Sequence, residues 1–257
     1  MKKKNITSVL ALICIFALVT AFFTGCAKVA AESSTETNNE NVISARIVTA
    51  KDGNLLITSN SGLYFISAEK GTAISKNGKP LNASDLKPGM DIQIVFDGMV
   101  LETYPAQIPN VETIKITAEN DDKISLYEEA AKHIFEERAD KDFEKSKIET
   151  VALDLTGLSD LSKEEKSALE YVLRNYFYSE CGADTIRSNY DELQENGRIT
   201  KGGEFKNGVI ISVATDKAKG FSLSLVRSVL CGYGYTGCTA KIKDGEWKIS
   251  YGDAWIS

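Results

Sequence analysis

Polar and apolar positions alternate over much of residues 42–117. Ile43, Ala45 and Ile47 share one face of an extended chain, as do Ile92, Ile94 and Phe96, so these segments predict strands with one buried side. Segments rich in branched or aromatic residues recur at 42–50, 54–59, 62–67, 91–96, 99–104 and 111–117. Asp52-Gly53, Asn60-Ser61-Gly62 and Asp97-Gly98 separate several of them with residues that accept positive φ. Short strands at this spacing predict a small all-β barrel.

The period changes after the polar stretch Glu119-Asn120-Asp121-Asp122. Leu126, Ala130, Ile134 and Phe135 predict a helix over 124–143, with Ser125 and Glu128 spaced as a capping box. A second helix follows Ser162-x-x-Glu165 and carries the stripe Leu169, Val172, Leu173 and Tyr176. A short helical turn is expected over 189–195, stopped by Gly197. Strands are then expected at 204–206, 209–215, 221–230, 238–243 and 246–251, with Asn207-Gly208 and Asp244-Gly245 as hairpin turns. Helices followed by hairpins predict an α+β domain. The expected architecture is therefore two domains: an OB-like all-β barrel at 42–118, then an α+β domain with an antiparallel sheet at 122–257.

The amino terminus supplies an address. Lys2, Lys3 and Lys4 precede an uncharged run from Ile6 to Phe23, the layout of a secretory signal. Phe23-Thr24-Gly25-Cys26 resembles the lipobox of bacterial lipoproteins, although that family more often has an aliphatic residue where Phe23 stands. The resemblance implies a lipid on the Cys26 sulfur and removal of residues 1–25. The alternative is an uncleaved anchor, since spanning a bilayer takes about 20 apolar residues. Both readings put the body on the outer face of the cytoplasmic membrane. Residues 26–41 then hold the lipidated cysteine and a Ser-, Thr-, Asn- and Glu-rich spacer with little to bury.

Two further stretches carry resemblances. Asp85 to Met90 (DLKPGM), IQIVFDG after it, and Glu102-Thr103-Tyr104-Pro105-Ala106-Gln107-Ile108 resemble a family of small β domains in Gram-positive lipoproteins, marked by a Glu-x-Tyr/Phe-Pro element. That likeness implies no particular activity. Gly245-Glu246-Trp247-Lys248-Ile249 resembles the last hairpin of cystatin-like folds, in which a curved sheet wraps a helix.

Composition narrows the chemistry. Loss of the signal removes three lysines and no acids, taking the formal net charge from −6 to −9. An acidic body lacks the basic clusters that nucleic acid requires, and it leaves the lipid as the expected membrane contact. With Cys14 lost and Cys26 modified, Cys181, Cys231 and Cys238 remain. Cys231 and Cys238 bracket a Gly- and Tyr-rich segment and are read either as a disulfide closing a strand-to-strand loop or as two buried thiols. The segment has neither the Lys-Ser/Thr of a phosphate loop nor the two-residue spacing of a redox motif.

His133 is the sole histidine, and no metal-ligand spacing or nucleophile motif accompanies it. No catalytic residue, metal or cofactor is therefore expected. Tyr233, Tyr235, Trp247, Tyr251 and Trp255 crowd the last hairpins, where they either pack the sheet or line a ligand groove. The resulting expectation is a non-catalytic envelope module for an unknown ligand or protein partner. A cell-envelope hydrolase with its site in the C-terminal domain is the alternative. A transporter's solute receptor is disfavoured, because alternating strand–helix repeats are not seen.

Overall fold

A computed structural model describes residues 41–68, 71–216 and 220–257; the signal segment and Cys26 lie outside the described residues. The first sheet is built from β1 (Asn41–Lys51), β2 (Asn54–Ser59), β3 (Gly62–Ser67), β4 (Ala73–Lys76), β5 (Lys79–Pro80), β6 (Met90–Phe96), β7 (Ala106–Ile108) and β8 (Val111–Glu119). Their order is β5-β4-β8-β6-β1-β2-β3-β7. Alternation in β6 reads cleanly, with Met90, Ile92, Ile94 and Phe96 all turned into the core. Ile47, Leu55, Ile57, Ile66, Ile108 and Ile114 complete that core.

This sheet corrects the expected OB-like all-β barrel. Eight strands are present, β5 and β7 end the path without pairing to each other, and β3–β7 and β4–β8 are parallel. The cause is local. Ala73–Lys76 and Ala106–Ile108 are short runs with little pattern of their own, and each joins the sheet beside a strand already in place. The expected strand at 99–104 does not form. Leu101 makes only an isolated bridge to Gln107, and the chain bends at 103–105.

The second sheet surrounds α1 (Lys123–Asp142) and α2 (Lys163–Cys181). It comprises β9 (Thr150–Asp154), β10 (Asp184–Arg187), β11 (Gly208–Asp216), β12 (Gly220–Ser228), β13 (Cys231–Lys243), β14 (Glu246–Ser250) and β15 (Asp253–Ile256). A short helix, α3 (Tyr190–Glu195), follows β10. The order β10-β9-β11-β12-β13-β14, with β15 also on β13, curls into a half-barrel. It is not the antiparallel sheet expected from sequence: β9 pairs in parallel with both β10 and β11. The parallel pair follows from connectivity, because α2 carries the chain from the end of β9 back to the start of β10.

Turn chemistry accounts for two other differences. Asp244 and Gly245 both take positive φ and close the β13–β14 hairpin as expected. Asn207 also has φ 54°, but it leads into β11, whose partners are β9 and β12, so no hairpin forms there. At the start of α1, Asp122 rather than Ser125 is the cap, and its side chain accepts from the Ser125 amide at 3.1 Å. Asp122 is half-buried, and burial raises its carboxyl above the ordinary value against the hydrogen bonds from Ser125.

The two sheets meet through apolar contact. Val48, Leu56 and Leu63 of the first sheet belong to the core formed by α1, α2 and the second sheet. A register shift between Ile47 and Thr49 marks a bulge beside Val48. Leu55 and Ile57 face one core while Leu56 faces the other, so β2 is buried on both sides.

Candidate functional site

The first turn of α2 is fixed before anything is built on it. Ser162 Oγ accepts from Glu165 N at 3.1 Å, and Glu165 Oε2 accepts from Ser162 N at 2.7 Å. This is the capping box read from sequence, and it closes the orphan amides at the helix start. Several cavities touch this turn, and two of them differ sharply in electrostatics.

The larger cavity, about 400 Å³, lies against the first sheet and contains Arg46, Thr58, Asp91 and Glu165. Arg46 Nε donates to Asp91 Oδ1 at 2.7 Å, Nη2 donates to Asp91 Oδ2 at 3.2 Å, and Nη1 donates to Glu165 Oε1 at 2.5 Å. Asn120 donates to Asp91 Oδ2 at 2.8 Å. The Asp91 hydrogen bond, aided by the charges of Glu165 and Asp91, raises the Arg46 pKa against the opposing effect of burial. Arg46, Asp91 and Glu165 answer one another's charges, while Glu164 also lines the cavity. The group acts as a latch between the first sheet and α2, with only the buried Thr58 hydroxyl lacking a partner.

The second cavity has the opposite character. It encloses about 310 Å³ between α2 and the carboxyl ends of β9 and β10. Leu153 and Leu155 form its apolar floor, Thr156, Ser188 and Asn189 add polar atoms, and Lys163, Lys166 and Arg187 supply positive charge. The two lysines stand three positions apart and so share a helix face. Neither has a carboxylate within ion-pair distance among the described residues. Arg187 donates to Ser167 Oγ at 3.2 Å and lies 3.8 Å from Glu170 Oε2, whose carboxylate also holds Arg174. Glu192 is the one carboxylate on the lining. Its Oε2 accepts from Ser188 Oγ and Asn189 N, both at 3.1 Å. In open α/β sheets, ligands settle outside the carboxyl ends of parallel strands, and this crevice occupies that position.

Comparison with known protein families, curated proteins and solved structures finds no match. The reading of the site therefore stands on its geometry.

The residues singled out from sequence lie elsewhere. Tyr233 and Tyr235 turn toward α1: Tyr235 donates to Glu137 Oε2 at 2.7 Å, and Tyr233 donates to Tyr235 Oη at 3.0 Å. Arg138 sits 3.5 Å over the Tyr233 ring, and His133 stacks on Tyr251 at 4.1 Å. Burial, with these hydrogen bonds, raises the Tyr235 phenol well above its ordinary value. Trp247 Nε1 donates to the Asp122 carbonyl at 2.7 Å, tying β14 to the start of α1. Trp247 also borders a cavity of about 350 Å³ with Tyr127 and Asp160. Trp255 covers Gly234 so closely that a Cβ there would meet the indole at 2.6 Å. These aromatics each have a packing partner, and none lines the cationic crevice.

The possible disulfide is corrected. Cys231 and Cys238 both lie on β13, opposite Ser228 and Phe221 of β12. Seven residues of strand span about 23 Å, whereas a disulfide needs Cα atoms within about 7 Å. The segment expected as a strand-to-strand loop is itself continuous strand, and both thiols are free. Burial raises the Cys238 thiol's pKa. No group of three or more His, Cys, Asp or Glu converges as metal ligands among the described residues.

Lys163, Lys166 and Arg187 were not singled out by the sequence analysis. The signal for them is the apolar run Val151, Ala152, Leu153 and Leu155, followed by the strongest helix and another short strand. Recognising 150–187 as a strand–helix–strand unit places all three cations at one end of it.

Proposed function

We propose that this chain is a lipid-tethered, extracytoplasmic module of the cell envelope that holds a ligand in the crevice between α2 and the carboxyl ends of β9 and β10. The observation that carries the binding reading is the unanswered charge of Lys163 and Lys166 inside a cavity whose walls are fixed by secondary structure. Binding without turnover is favoured by the state of Glu192. The only carboxylate on the lining has its Oε2 committed to the turn at Ser188 and Asn189. The tether is supported by the three lysines, the uncharged run and Thr24-Gly25-Cys26.

Two measurements test this reading. Cys26→Ala should abolish incorporation of labelled fatty acid, since the two-chain anchor is attached at that sulfur; a labelled mutant protein would refute the tether. Incubation of the purified chain with wall fragments, peptides and esters should leave them unchanged. Turnover that disappears in Glu192→Gln while the fold survives would establish the hydrolase alternative instead.

A further inference from the structure

The cationic crevice also indicates what kind of ligand it holds. Lys163, Lys166 and Arg187 set three positive charges against the single negative charge of Glu192, a net lining charge of +2 in a chain whose formal net charge is −6. Like charges three positions apart on a helix repel each other. Here no neighbouring acid relieves that repulsion for the lysines, and Arg187 has only the distant Glu170. The latch around Arg46 shows how this protein treats a cation that serves structure: both carboxylates lie within hydrogen-bond distance of it. Charges left unanswered in a cavity favour an anion from outside.

We propose that this crevice binds a phosphate monoester carrying a short apolar group, a conclusion that rests on the binding reading above. The charge match selects phosphate over carboxylate, because a monoester carries about −1.5 to −2 at neutral pH and a carboxylate only one negative charge. Lysine serves phosphate as a point charge, and Arg187 adds a planar donor fork. The apolar part follows from the space and its lining: most of the surface the cavity presents is carbon, and a bare inorganic ion would leave most of the volume to water. The volume of about 310 Å³ is near the lower limit of small-molecule pockets, which restricts the apolar group to a few carbons.

The test is calorimetric titration of the full-length protein, in non-ionic detergent, with butyl phosphate, inorganic phosphate, butyrate and butanol. Butyl phosphate should bind at one saturable site, more tightly than inorganic phosphate, and butanol should not bind. Affinity should rise with pH as the ester completes its second ionisation near pH 6. Lys163→Gln, Lys166→Gln and Arg187→Gln should each weaken binding at least about tenfold, the scale of a charged hydrogen bond. Lys163→Arg should retain it, and Lys241→Gln, outside the crevice, should change nothing. Circular-dichroism melts should match wild type for the lysine variants, whose side chains hold no partner among the described residues, and should fall only slightly for Arg187→Gln, which gives up its contacts with Ser167 and Glu170.

Absence of saturable binding, or equal affinity in the three glutamine variants, would overturn the proposal. Butyrate binding as tightly as butyl phosphate would overturn the choice of phosphate. Release of inorganic phosphate from butyl phosphate would overturn binding without turnover while leaving the location of the site intact.

Discussion

Truncating Leu56 to alanine should destabilise the protein by about 3 kcal/mol, the usual cost of a buried leucine plus the cavity it leaves. It should do so in one unfolding transition shared by both sheets. Leu56 is 2 % exposed and sits on the first sheet, yet it packs into the core of α1, α2 and the second sheet with Val48 and Leu63. The lost contact therefore weakens the junction as well as β2. Denaturant unfolding, followed by far-ultraviolet circular dichroism and by tryptophan fluorescence, separates the outcomes. Both tryptophans, Trp247 and Trp255, lie on strands of the second sheet. Coincident, equally shifted curves are expected. A fluorescence midpoint that stays at its wild-type value would show that the sheets unfold independently, as the polar seam at 119–122 had indicated from sequence.

The second large effect belongs to the latch. Arg46→Met leaves Asp91 with only its Asn120 contact, and leaves Glu165, whose side chain is 12 % exposed, with only the cap to Ser162. Removing one partner of a buried ion pair costs about 3–5 kcal/mol, whereas exposed pairs are worth under about 1. Arg46 is 32 % exposed by side chain, so an intermediate loss of about 2 kcal/mol is expected. Adding Asp91→Asn and Glu165→Gln to Arg46→Met should recover part of that loss, since no unpaired carboxylate remains. A change below about 0.5 kcal/mol in Arg46→Met would make the latch a surface decoration, of the kind exposed pairs often are.

What could be read from the chain followed the strength of local signals. β2 and β3 were expected within their observed bounds because turn residues punctuate both ends. The Ser162–Glu165 box located α2, and Asp244-Gly245 located the last hairpin. Failures came where tertiary pairing decides. β4, β7 and β10 have at most four residues each and are strands because a neighbour offers a ladder. β9 was missed because Val151, Ala152 and Leu153 form an unbroken apolar run, without the alternation that marks a half-buried strand. Leu55-Leu56-Ile57 carried the same message of burial on two faces. Missing β9 hid the parallel pair, and with it the crevice. The tyrosines and tryptophans are conspicuous in composition, and the fold packs several of them against α1 and β13, with Trp247 also bordering a cavity.

Amide chemical-shift mapping of the full-length protein during addition of butyl phosphate tests the location of the site most directly. The account predicts saturating shifts at Thr156, Lys163, Lys166, Arg187, Ser188 and Asn189, the residues around the crevice, with β13, β14 and β15 unmoved. Saturating shifts centred instead on Tyr233, Tyr235, Trp247 and Trp255, or no saturating shifts at all, would contradict it.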